Sequence, residues 1–142
     1  MFIVMHCGGM PFDGETIHKQ GLGGSETAAY YMARELVKLG HKVTLFTNIE
    51  PEQEGTWDGV KYVSAGQVTQ QQPLGARFHF YALNTPHDVC IIQRHPQAFT
   101  FKWASKINVL WLHDLALHRH AQAVRSGMWN VDIVWTVSEF HK

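Results

Sequence analysis

Gly21-Leu22-Gly23-Gly24-Ser25-Glu26-Thr27 stands where a glycine-rich loop should turn into a helix. The apolar run Phe2-Ile3-Val4-Met5 precedes it, and an amphipathic segment ending near Gly40 follows it. Strand, glycine loop and helix in that order present backbone N–H groups to an anionic ligand. Glycine lets the backbone come close to the anion, and the helix start adds a partial positive charge. Ser25 suits the cap of that helix, and Glu26 suits its first turn. Gly23, Gly24, Ser25 and Glu26 are therefore candidates for a phosphate-binding loop. A loop whose glycines serve only its own turns is the plainer alternative.

Other polar residues follow apolar runs and so should fall at the ends of buried strands. Gly8 and Gly9 follow the first run, Arg94 and His95 follow Val89-Cys90-Ile91-Ile92-Gln93, and His113 and Asp114 follow Val109-Leu110-Trp111-Leu112. A His at a strand end can orient or exchange a proton with a ligand, or simply cap the next loop. Asp114 could orient His113 or cap a helix. Arg94 could hold a carboxylate or phosphate, or stay solvated on the surface. His118 and His120 beside His113 and Asp114 invite a metal reading. On a helix, however, residues two apart point to different faces, and no CxxC or HExxH spacing exists, so no metal is expected. Trp103, Trp111, Trp129 and Trp135 are read as core packing.

The elements that must position these groups follow from periodicity. Residues 2–7, apolar without alternation, predict a strand buried on both faces. A long loop spans 8–24. A helix then follows, with Ala28, Ala29, Met32, Leu36 and Leu39 as its buried stripe and Gly40 as its stop. Strands are expected at 42–47, 57–65, 88–93, 107–112 and 131–137, and helices at 75–84, 96–105 and 117–128. Ser138-Glu139 opens a further helix that has room for about one turn before Lys142. Strands alternating with helices predict an α/β fold: a doubly wound, Rossmann-like, mostly parallel sheet. By fold analogy the strand order is 3-2-1-4-5-6, which opens a crevice between the first and fourth strands and brings Gly8, Gly9, Arg94 and His95 together, with His113 and Asp114 nearby.

Composition narrows the function. The chain has 142 residues, 45% hydrophobic, enough for one domain with a core. Twelve Lys and Arg balance twelve Asp and Glu, so the basic excess of a nucleic-acid binder is missing. No apolar run approaches the ~18 residues of a membrane span. Residues 1–7 do not read as a signal peptide, and a cytoplasmic location is expected. Cys7 and Cys90 fall in strands and are read as buried thiols.

A dinucleotide site would need G-x-G-x-x-G directly between strand and helix, and an acid ending the second strand. Here the approach from Gly8 to the helix is long, the glycine spacing differs, and the second strand ends Phe46-Thr47 with no acid before Glu50. The nicotinamide reading is correspondingly disfavoured.

Three segments carry a resemblance across nearly the whole chain. Gly21 to Glu26 matches the core of a Gly-Gly-x-Gly-Gly-Ser-Glu pattern, and Thr27 to Thr47 continues it. Asn108 to Asp114 is a strand ending in His, and Val137 to Lys142 follows in order. Together they resemble the N-terminal, acceptor-side domain of GT-B glycosyltransferases of the retaining group 1, or GT4, family; residues 48–87 carry little of the likeness. The resemblance implies a glycosyltransferase that moves a sugar from a nucleoside diphosphate-sugar to an acceptor hydroxyl with retention. It implies no cofactor, and a diphosphate facing Gly23, Gly24, Ser25 and Glu26. It makes His113 the catalytic-site residue contacting the donor sugar, and Gly8, Gly9, Arg94, His95 and Asp114 cleft or acceptor residues. The nucleotide would be held mainly by a C-terminal domain absent from these residues, so the domain alone should be inactive. Any membrane contact would be peripheral, through the acceptor. The competing expectation is a stand-alone, non-catalytic α/β module that binds a glycan or a protein.

Overall fold

A computed structural model describes residues 1–112 and 130–136. Seven strands form one sheet: β1 (Phe2–His6), β2 (Lys42–Thr47), β3 (Gly55–Trp57), β4 (Val60–Ser64), β5 (His87–Gln93), β6 (Ser105–Leu112) and β7 (Ile133–Thr136). The order is β3-β4-β2-β1-β5-β6-β7. All neighbours run parallel except β3 against β4. Apart from the added β3, this is the expected strand order. The helices are α1 (Thr16–Lys19), α2 (Gly24–Lys38) and α3 (Ala76–Asn84). The expected helix at 117–128, the one opening at Ser138, His113 and Asp114 lie outside the described residues.

The lack of alternation in β1 has a direct cause: it is the middle strand, covered on both faces. Ile3 and Met5 join one core with Ala29, Tyr30 and Ala33 of α2, whereas Val4 joins a second core with Phe46 and with Phe78 and Ala82 of α3. Parallel pairing sets Met5 beside Leu45 of β2 and Ile91 of β5. Truncating such a fully buried side chain to Ala costs about 2–5 kcal/mol.

Several local expectations are corrected. The third strand, expected as one run over 57–65, is a hairpin of β3 and β4. Asp58 and Gly59 have positive φ, 52° and 80°, the geometry of a two-residue type I′ turn for which Asp-Gly is suited. The loop 8–24 contains the single turn α1, and the segment 96–105 forms only a 3-10 turn at Pro96–Thr100 before β6 begins. α2 buries Ser25, Glu26, Ala29, Tyr30 and Ala33, while Leu39 is exposed beyond the helix end. Gly40 does end the helix, at φ 97°: its N–H donates to Val37 O and that of His41 to Leu36 O, a Schellman closure.

Candidate functional site

β1 delivers the chain to the carboxyl edge of the sheet. After His6, the Cys7 N–H donates to Phe46 O of β2 at 2.9 Å, extending the ladder by one residue. Gly8 and Gly9 then leave the sheet. The loop back toward α2 is pinned to β2: Thr47 Oγ1 donates to Phe12 O at 2.9 Å and Asn48 Nδ2 to Gly9 O at 3.0 Å. The end of β2 therefore spends its polar groups on the loop. It holds out no carboxylate where a dinucleotide ribose would need one.

The start of α2 closes onto this loop through Glu26. Its carboxylate is buried and accepts from Met10 N–H at 3.0 Å and from Ser25 Oγ at 3.3 Å. Gly9 has φ 136°, and a Cβ placed there would come within 2.6 Å of Glu26 Oε2; a Cβ on Gly23 would collide with Oε1. Both glycines make room for the carboxylate. The cap of α2 is Gly23, with no side-chain cap bond, which corrects the expectation that Ser25 fills that place. Ser25 lies inside the first turn, and its hydroxyl joins Glu26 to Arg94. By contrast, among the described residues nothing beyond its own chain neighbours and helix backbone lies within 4 Å of a Cβ on Gly24. The helix start is open there, and the first N–H groups of a helix have no acceptor in the helix itself.

β5 supplies the opposite side. Gln93 Nε2 donates to Ser25 O at 3.2 Å and Arg94 Nη1 to Ser25 Oγ at 3.1 Å. Arg94 is in the left-handed region at φ 66°, uncommon for a side chain of its size. Its N–H donates to Trp111 O of β6, which fixes the turn out of the strand. Thus Met10, Glu26, Ser25 and Arg94 form one hydrogen-bonded chain across the ends of β1 and β5. This is where the strand order reverses, the place where open α/β sheets bind ligands.

A cavity of about 400 Å³ opens there, lined by His6, Gly8, Gly9, Asn48, Arg94 and His95 among others. His6 is buried against Phe78 of α3, and its Nε2 lies 2.9 Å from Leu74 O. A carbonyl only accepts, so Nε2 carries the proton and Nδ1 is left as an acceptor. Nδ1 is buried with no partner among the described residues. Burial, then the neighbouring His95, hold the His6 pKa down to about 3, so the ring is neutral. Burial and Arg94 lower the pKa of His95 as well. Burial, reinforced by Glu26, pushes the Cys7 thiol up to about 12.

Of the site residues expected from sequence, Gly8, Gly9, Gly23, Gly24, Ser25, Glu26, Arg94 and His95 converge on this edge. Glu26 faces inward as a brace of the loop. His113 and Asp114, which follow β6 directly, lie outside the described residues. His6, Gln93 and Asn48 join the site without being expected from the sequence. A polar residue ending an otherwise apolar buried strand was the available signal for His6 and Gln93. Among the described residues, no three His, Cys, Asp or Glu side chains group to hold a metal, and no helix is long and apolar enough to cross a membrane. His118 and His120 are outside those residues. No family model, curated protein or solved structure matches this chain.

Proposed function

We propose that this chain is the acceptor-side half of a retaining GT-B glycosyltransferase, with a doubly wound Rossmann-like sheet. Its partner in catalysis is a second domain that holds the nucleotide. The observation that carries the reading is the open α2 start at Gly24, tied by Ser25 to Arg94 at the switch point of the sheet. As the glycosidic bond of a nucleoside diphosphate-sugar breaks, the leaving diphosphate gains negative charge. N–H groups at the helix start are preorganised donors for that charge, and no protein nucleophile is needed. Gly24 lets the diphosphate approach the backbone. In this reading His113, the residue after β6 in the sequence, touches the donor sugar, and the cavity beside Arg94 takes the acceptor.

The test is a transfer assay on the natural gene product that contains this chain, with UDP-, GDP- and ADP-sugars and a panel of acceptors. Released nucleoside diphosphate and a product of unchanged anomeric configuration support the proposal. Saturable binding of NAD(H), or glycan binding without any transfer, rejects it in favour of an oxidoreductase or a stand-alone binding module.

A further inference from the structure

The cavity at the switch point has a chemistry that narrows what it can hold. Among the described residues lining it, Arg94 bears the one charge. Glu26, the nearby acid, is turned away beneath Gly9 and spends its oxygens on Met10 N–H and Ser25 Oγ. The guanidinium has five N–H donors and uses one bond, to Ser25, among the described residues. Such a fork suits a phosphate or carboxylate.

His6, which lines the same cavity, carries an acceptor that takes no hydrogen bond among the described residues. Left so, a buried polar atom such as His6 Nδ1 is costly to the fold. Its tautomer is fixed from behind by Leu74 O. Leu74 is held from the other side too, its N–H donating to His79 Nε2 at 3.4 Å. The His95 ring lies 6.5 Å from that of His6, nearly perpendicular to it. Both rings border the space over Gly8: a Cβ there would be 3.2 Å from His6 Cε1 and 3.9 Å from His95 Nε2. Gly8 has no positive φ, so its lack of a side chain serves space and not backbone conformation.

We propose that this cavity binds a small hydroxylated anion, with Arg94 on the anionic group and His6 and His95 around Gly8 on a hydroxyl. The hydroxyl donates to His6 Nδ1, and a turn of the half-buried His95 ring opens that atom to the cavity. A neutral ligand forfeits Arg94, and an anion without a hydroxyl leaves Nδ1 unpaired. Naming this ligand the acceptor of sugar transfer rests on the glycosyltransferase reading; the ligand class itself rests on the cavity.

The probe is glycerol 3-phosphate, with glycerol and inorganic phosphate as controls, titrated into the purified protein. Calorimetry and the imidazole ¹⁵N resonances of His6 and His95 are the readouts. Glycerol 3-phosphate should bind saturably, at least tenfold more tightly than either control, and move the His6 Nδ1 resonance. Gly8→Ala, which fills the space, and Arg94→Gln, which removes the charge, should each weaken binding at least tenfold with an unchanged circular dichroism spectrum. Equal binding of inorganic phosphate, an unmoved His6 resonance, or wild-type affinity in both variants overturns the inference. The two readings fail separately. Binding as described with no sugar transfer to any acceptor sinks the enzyme and leaves the cavity's ligand intact. Transfer that Arg94→Gln leaves unchanged on every acceptor sinks the cavity's role and leaves the enzyme intact.

Discussion

Arg94 reaches across the carboxyl edge of the sheet to Ser25, its Nη1 donating to the Ser25 hydroxyl at 3.1 Å. The residues are far apart in sequence, and the bond joins the end of β5 to the first turn of α2. Because Ser25 Oγ also donates to Glu26, the contact fixes the glycine loop and the strand end as one body.

Ser25→Ala should therefore loosen the loop without unfolding the domain. Glu26 loses one donor and Arg94 its partner. The expected destabilisation is about 1–2 kcal/mol in urea unfolding, since hydrogen bonds to charged groups are the stronger kind. An unchanged midpoint would mean that the bond is ornamental in solution.

The glycines of the loop should differ sharply in tolerance. Among the described residues nothing beyond its chain neighbours lies within 4 Å of a Cβ on Gly21, so Gly21→Ala should be near neutral. Gly9→Ala meets both a positive φ and the Glu26 carboxylate, and should cost about 1–3 kcal/mol. Equal effects of the two substitutions, measured by thermal unfolding, would contradict the placement of Glu26 beneath Gly9.

How much of this was legible in the sequence depended on chain locality. The apolar run Phe2 to Met5 announced a strand covered on both sides, and the Gly40 stop was legible because a Schellman closure is made within a few residues. Asp58-Gly59 is a legible hairpin turn, but Trp57 to Ala65 is β-prone on either side of it, which favours the expectation of a single strand. The inward turn of Glu26 was not legible. It depends on Met10 N–H and on space left by Gly9 and Gly23, and a carboxylate at a helix start is ordinarily read as a dipole effect. The partnerless Nδ1 of His6 depends in the same way on Leu74, brought in by a distant loop.

Acid should destabilise the fold above the carboxylate range. The His6 pKa is about 3 in the folded chain against about 6.5 unfolded, so the native state binds fewer protons. Its contribution is complete above pH ~6.5 and is lost as pH falls toward 3. Burial lowers His79, His87 and His95 in the same direction. Between pH ~6.5 and ~5 the unfolding free energy should drop, and His6→Gln should flatten that slope whatever it does to overall stability. A slope unaltered by the substitution would show that His6 is not a buried neutral ring.

Both thiols should be silent in the native state. Cys7 and Cys90 are buried, and burial raises both pKa values, that of Cys7 to about 12. The thiolate is the reactive form. Iodoacetamide at pH 8 should label neither residue until denaturant is added, and then both. Rapid native labelling of Cys7 would show that the loop from Gly8 opens freely.

The open start of α2 at Gly24 is the centre of the proposed chemistry, and one substitution addresses it. Gly24→Val adds a side chain where, beyond its own chain neighbours and helix backbone, no atom of the described residues lies within 4 Å of the Cβ, so the fold should survive. Sugar transfer from nucleoside diphosphate-sugars should be compared in the natural gene product with and without this change. If a diphosphate must approach that backbone, kcat/KM should fall at least 100-fold, about 2.7 kcal/mol of transition-state stabilisation. Transfer by the Gly24→Val protein at the wild-type rate, or no transfer by either protein from any donor, would contradict it.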